Sequence, residues 1–152
     1  MTDYGILVMV QMAQEPQKVH SASEMAAATN LPEPSVRKVL KIMARGQLLL
    51  SVRGLKGGYQ LAHPPEQISL DSLIQTLEGS SLALTDCCEE NHHETCEQFD
   101  LCAMKPHWAV INHHIRTVLQ KVSLQDLLVH PEQLQQTVVT LRDPSNSSPK
   151  AG

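Results

Sequence analysis

The chain has 152 residues, a formal net charge of −4 and only 3% aromatic residues. That length suits one domain with a real core, and the scarcity of aromatics leaves the core to Leu, Val, Ile, Met and Ala, which favours helices over a β-sandwich. With no run of about 18 apolar residues for a membrane span and no opening signal-peptide pattern, a cytoplasmic protein is expected.

Tyr4 to Ala13 is an apolar run that fits a buried helix, with a strand as the alternative at this length. Glu15-Pro16-Gln17 breaks it. Ser21 or Ser23 can cap a short helix, Glu24 to Thr29, which Asn30-Leu31-Pro32 ends. A second helix follows, with Pro34 near its first turn, where a missing N–H costs little. Its Val36, Val39, Leu40 and Met43 follow the i, i+3, i+4, i+7 rule, and Gly46 is placed as its C-cap. Leu48 to Val52 and Tyr59 to Leu61 are short strands around the Gly-rich turn Arg53 to Gly58. Ser69 caps another helix, about Leu70 to Glu78, ended by Gly79. Residues 80–103 have no clear period. From Met104, the residues Met104, Trp108, Ile111, Ile115, Val118 and Val122 alternate spacings of four and three, a heptad-like seam expected to join two subunits. Ser123 caps a last short helix through Val129.

The expected class is mainly α with a small β wing: a winged helix-turn-helix plus a long C-terminal dimerisation helix. The expected units are a DNA-binding domain (1–79), a cysteine-rich loop (80–103), the dimerisation helix with a final short helix (104–130) and a tail (131–152), disordered from about 143.

Helix, short turn, helix and hairpin in that order form a winged helix-turn-helix, whose second helix enters the major groove of double-stranded DNA. Six of the twelve Lys and Arg lie between Arg37 and Lys56, with no acid among them. A local basic patch outweighs net charge for a phosphate backbone. Ser35, Arg37, Lys38 and Lys41, beside Glu33 and Pro34, occupy the polar face of the second helix. Arg53 and Lys56 occupy the hairpin tip, Arg53 as a minor-groove candidate, with Tyr59 at the start of the second strand. The bland alternative is a solvated basic face.

Cys87, Cys88, Cys96 and Cys102 lie within sixteen residues. Soft thiolates gathered on one segment suit an iron–sulfur cluster or zinc, and free thiols are the third possibility. Adjacent cysteines are poor joint ligands for one tetrahedral ion, so one of Cys87 and Cys88 is expected to bind a given iron, with both binding in a two-iron site left open. His92, His93, His107 or Asp3 could fill a fourth place. The absence of a CxxC weakens a zinc ribbon, and the absence of a CxxCxxC run weakens a ferredoxin. His20, His63, His113, His114 and His130 are expected to be solvated or to serve as local hydrogen-bond partners. No P-loop, HExxH or Ser-His-Asp order is present, so no enzyme and no small-molecule substrate is expected.

Thr2-Asp3-Tyr4-Gly5, Leu31 to Lys41, and the wing motif Arg53-Gly54-x-x-Gly57-Gly58-Tyr59-x-Leu61 resemble the Rrf2 family of bacterial winged-helix regulators over roughly residues 2–130. Cys96-x5-Cys102 followed by Trp108 is similar to the family's cluster-binding members. The nearest resemblance is to gammaproteobacterial Suf-operon regulators, with IscR and NsrR as cousins. The resemblance implies a homodimeric, cluster-sensing repressor of iron–sulfur assembly (suf) genes, carrying a 2Fe–2S or 4Fe–4S cluster on three cysteines and one other ligand. IscR-like proteins use a histidine three residues after the last cysteine; that position is Lys105 here. NsrR-like proteins use the aspartate of the Thr-Asp motif from the other subunit. Asp3 is therefore the first choice and His107 the second. Such proteins also carry residues ahead of the Thr-Asp motif that form a strand beside the wing, where this chain has Met1 alone. A nitric-oxide or redox-sensing repressor is the alternative within the family, and a small cluster carrier the alternative outside it.

Overall fold

A computed structural model of the chain describes residues 1–54, 56–79, 84–85 and 102–140, with 136–140 as backbone alone. Helix α1 (Thr2–Ala13) resolves the helix-or-strand choice. Gly5, Val8, Met9 and Met12 are all buried, a stripe that only a helical period places on one side. Tyr4 and Leu7 fall on the other side and are exposed.

Helix α2 (Ala22–Thr29) starts one residue after Ser21, whose hydroxyl accepts from the Glu24 backbone N–H at 3.1 Å. Ser23 lies inside the first turn, so Ser21 is the cap. Asn30 closes the helix in the left-handed conformation at φ 54°. Helix α3 (Glu33–Arg45) buries Val36, Val39, Leu40 and Met43, and Pro34 sits in its first turn. Gly46 is its C-cap, as expected, but at φ −77°; Gln47 takes the left-handed position at φ 61°. Gly46 instead answers a close approach, because a Cβ there would overlap Thr76 Cγ2.

Strands β1 (Leu49–Val52) and β2 (Gly58–Leu61) pair antiparallel, Leu49 opposite Leu61 and Val52 opposite Gly58. The wing is not free-standing. His20 N–H donates to the Tyr59 carbonyl at 2.8 Å, and Tyr59 N–H returns to the His20 carbonyl at 2.9 Å. His20 is therefore buried rather than solvated; its Nε2 lies 3.3 Å from the Glu15 carbonyl oxygen, the local partner expected of it. Lys18 braces the same loop, 2.7 Å from Glu24 and 3.0 Å from Glu15. The Lys18 ammonium holds the Glu24 carboxyl below the usual carboxylate range, and Glu24 raises Lys18 in return.

Helix α4 (Leu70–Glu78) is capped by Ser69, which accepts from Ser72 N–H at 3.1 Å, and ends at Gly79, φ 76°. Helix α5 (Lys105–Lys121) packs on α4. The chain then returns to the first unit: Leu124 N–H donates to the Ile68 carbonyl at 2.7 Å, and Leu124 is fully buried. Ser123 exchanges hydrogen bonds with Asp126, but no helix through Val129 follows for it to cap: the single 3₁₀ turn Asp126–Leu128 has Gln125 at its N-cap and no side-chain cap. Helix α6 (Pro131–Thr140) occupies the stretch read from sequence as the start of the tail. Residues 143–152, expected to be disordered, lie outside the described residues.

One core joins α1, α3, α4 and the inner wing residues Leu49 and Leu61. Gly58 is its tightest backbone approach to the wing, since a Cβ there would overlap the His20 carbonyl oxygen. Gly58→Ala is expected to destabilise the fold by about 1–3 kcal/mol through overpacking against a backbone that cannot move aside. Gly5→Ala, which meets only the flexible end of Leu77, should cost less. Thermal melts in which the two variants fall equally would contradict this ranking.

Candidate nucleic-acid interface and cluster ligands

The four buried residues of α3 turn its opposite face outward, so the side chains on that face are the ones a ligand meets. Arg37, Lys38 and Lys41 are exposed and Ser35 is half-buried. Glu33 and Arg37 form an i, i+4 pair, Arg37 Nε donating to Glu33 Oε1 at 2.9 Å. At the wing tip Arg53 and Lys56 are exposed, and Gly57 N–H donates to the Gly54 carbonyl at 3.0 Å. Gly54 holds φ 126°, a conformation that suits glycine; Leu55 lies outside the described residues. Tyr59 is half-buried and packs against the core. A groove of about 350 Å³ separates wing and helices, lined by Ser21, Ser23, Arg37, Ser51, Gly58 and Tyr59. Of the sequence-derived DNA residues, Arg37 and Tyr59 line this groove, together with Ser21, Ser23 and Ser51, while Ser35, Lys38, Lys41, Arg53 and Lys56 are not part of its lining. Sequence reasoning misses these serines because capping and strand pairing explain them without a ligand.

Of the cysteines, Cys87, Cys88 and Cys96 lie outside the described residues, as do His92 and His93. Cys102 is a half-buried free thiol just ahead of α5, and its carbonyl accepts from Lys105 N–H at 3.2 Å. Asp3 is exposed in the first turn of α1. That turn is tied to the end of α4 by a Thr2 Oγ1 hydrogen bond to Glu78, beside the point where the cysteine segment leaves the helix. His107 is exposed, with Nδ1 3.3 Å from the Ala103 carbonyl oxygen. A carbonyl only accepts, so in that contact Nδ1 is the donor and Nε2 is not engaged by it. Among the described residues no three potential ligands meet in one subunit. Soft thiolates with a carboxylate or imidazole remain a donor set that suits iron.

The seam expected on α5 is partly free. Met104 and Ile111 are exposed, and Trp108, Ile115 and Val118 are half-buried. Val122 is a correction: it lies past the end of the helix and is buried in its own subunit, its carbonyl accepting from Leu70 N–H at 2.8 Å. The heptad spacing runs on beyond the residue where the chain turns back. Val110, at 56% exposure, is the most exposed large apolar residue of α5 and lies outside the expected seam. Pro106, His107, Val110 and Ile111 line a shallow apolar hollow. Among the described residues no helix is long and apolar enough to cross a membrane.

Over residues 1–130 the sequence matches the family model Rrf2, described as an iron-dependent transcriptional regulator. The chain belongs to the Rrf2 family. It is 30% identical over 138 residues to the HTH-type transcriptional regulator NsrR of Halalkalibacterium halodurans, covering 88% of this chain and 91% of the relative. Among solved structures, CymR (YrzC), the global cysteine regulator of B. subtilis, is similar with a TM-score of 0.64 and 26% identity, covering 84% of this chain and 92% of that one. IscR of T. potens shares the fold, with a TM-score of 0.63, 24% identity and coverage of 97% and 89%. The mostly helical architecture with a two-stranded wing is that of these Rrf2 regulators, which control transcription and are not enzymes.

In an Rrf2 regulator docked by α3 and the wing, Lys38, Lys41 and Arg53 are free to meet phosphates. Lys38→Ala, Lys41→Ala and Arg53→Ala should each weaken binding to all duplex sequences alike. Removing one phosphate-neutralising cation should reduce the slope of log affinity against log salt by about one. Titrations at several salt concentrations test this, and unchanged slopes in all three would detach α3 and the wing from DNA.

Helix α5 offers a separate test. Ile111→Asp places a charge on its exposed apolar face, where burial against a second copy would be costly. Light scattering should then show monomers; an unchanged dimer would mean that the subunits meet elsewhere.

Proposed function

We propose that this Rrf2 regulator is a cytoplasmic homodimer whose affinity for its operator is set by an iron–sulfur cluster on the cysteine segment. We further propose that it represses iron–sulfur assembly (suf) genes. The observation that carries this reading is Cys102, a free thiol at the junction of the cysteine segment with α5, in a chain with three more cysteines within sixteen residues. Cys96, Cys102 and one of Cys87 and Cys88 supply the thiolates, and Asp3 completes the set, with His107 second. A bound cluster supplies a ligand whose occupancy follows iron and sulfide supply and oxidant exposure. The chain's own part is to convert occupancy into DNA affinity. Leu84 N–H donates to the buried Asn112 Oδ1 of α5 at 3.0 Å, so the run into the cysteines is tied to the helix offered for dimerisation. A ligand shifts such a protein only by binding its two states unequally, so holo and apo forms must differ at the operator.

The likeness to CymR, the global cysteine regulator, favours a second reading: a regulator of cysteine metabolism that holds no cluster. Anaerobic isolation separates the two. The first reading expects a coloured protein with iron and acid-labile sulfide, and loss of both in Cys96→Ala and Cys102→Ala while the fold persists by circular dichroism. A colourless or zinc-containing protein, or wild-type iron content in either variant, would overturn it.

A further inference from the structure

Glu33 is an acid in the first turn of an otherwise basic recognition face. Its Oε1 accepts from both Nε and Nη2 of Arg37. Among the described residues neither side chain makes another hydrogen bond. A guanidinium has two donor edges, one along Nε and Nη2 and one across Nη1 and Nη2, in a rigid plane. Glu33 takes the first edge and leaves the second. We propose that Glu33 is a positioning residue that fixes Arg37 to read one guanine in each half-site. The free edge donates to O6 and N7 of that guanine together. This inference rests on the docking of α3 in the major groove.

The pair is poorly suited to the alternative task of holding a phosphate. Its net charge is zero, so it releases few counterions, and the carboxylate repels the backbone. A base edge is neutral and its hydrogen bonds are directional, so it gains from a fork held in advance, with less rotamer freedom left to lose on binding. Arg37 remains 61% exposed while so held, which leaves the edge accessible. Lys38 and Lys41, exposed and without ion pairs among the described residues, are the phosphate-type cations of the same face.

The full-length, anaerobically isolated protein would be used to select a consensus from a duplex library with a randomised core. Wild type, E33Q, R37A and the double variant E33Q/R37A would then be titrated against the consensus, each of its single-base variants and random-sequence duplex, at several salt concentrations. Both single variants should lose discrimination at the same guanine, by about tenfold or more, and keep it elsewhere. The double variant E33Q/R37A, which leaves no unpaired carboxylate behind, should leave the salt slope unchanged. In E33Q the released Arg37 should bind random duplex more tightly, with a slope steeper by about one.

Discrimination that survives at every position in both single variants would overturn the inference. So would a double variant E33Q/R37A that binds all sequences more weakly with a slope shallower by about one, the mark of a phosphate partner. If Glu33 only stabilises the helix, E33Q melts earlier and weakens consensus and random duplex equally, which also overturns it. Lys38→Ala and Lys41→Ala separate the wider reading. If they too change nothing, α3 does not enter DNA and both readings fail. If they weaken binding while E33Q and R37A keep full discrimination, this inference alone fails.

Discussion

The burial of one face of α3 against α1 is the constraint on which the molecule depends. Val36, Val39, Leu40 and Met43 are fully buried, as are Val8, Met9 and Met12 of α1. Each such side chain contributes about 1.5–3 kcal/mol by leaving water, enough together to fix the rotation of α3 about its axis. Once that rotation is fixed, Arg37, Lys38 and Lys41 have nowhere to go but solvent. The basic surface follows from packing on the far side. The wing is placed by the same core through Leu49 and Leu61, and by the backbone exchange between His20 and Tyr59.

A contiguous set of packed elements links the cysteine segment to that surface. The segment departs after Gly79 of α4 and ends at Cys102 before α5, and those helices pack on each other. Their shared interface is partly polar. Asp71 on α4 is buried, and its Oδ2 accepts from Gln75 at 2.8 Å and from Gln120 of α5 at 3.3 Å. Ser69 and Ser123 bridge the start of α4 to the end of α5. Buried polar interactions of this kind fix relative orientation because leaving them unmade is costly. Helix α4 in turn touches α3, with Thr76 against Gly46. Under the proposed function, a change at the cysteines that tilts α5 would reach α3 through α4, which touches both.

The parts legible in the sequence are those governed by local rules. Ser21, Ser69, Asn30 and Gly79 sit where capping chemistry puts them, and the 3.6 period of α3 names its buried face without error. The glycines of the wing motif mark a hairpin, whereas the close approach of Gly58 to the His20 carbonyl shows only in the fold. What sequence could not supply is long-range. His20 is buried because a strand 39 residues later pairs with its backbone, which no local pattern announces. Val122 keeps a heptad spacing yet turns inward, because the chain reverses there to bury Leu124. Gln47, not Gly46, takes the left-handed turn, since Gly46 is claimed by the approach of Thr76. Within the candidate site, the i, i+4 spacing of Glu33 and Arg37 is visible in the sequence. Its meaning emerges only with the geometry of the guanidinium edges.

If the cysteine segment is a sensor, cluster occupancy must change DNA affinity. The most direct measurement compares cluster-loaded protein with the same preparation stripped by an anaerobic iron chelator. Both would be titrated against one selected operator at one salt concentration, with the oligomeric state recorded in parallel. A coupling of about 1–3 kcal/mol, typical of linked sites, predicts affinities that differ by roughly 5- to 150-fold. Equal affinities for loaded and stripped dimers would contradict it.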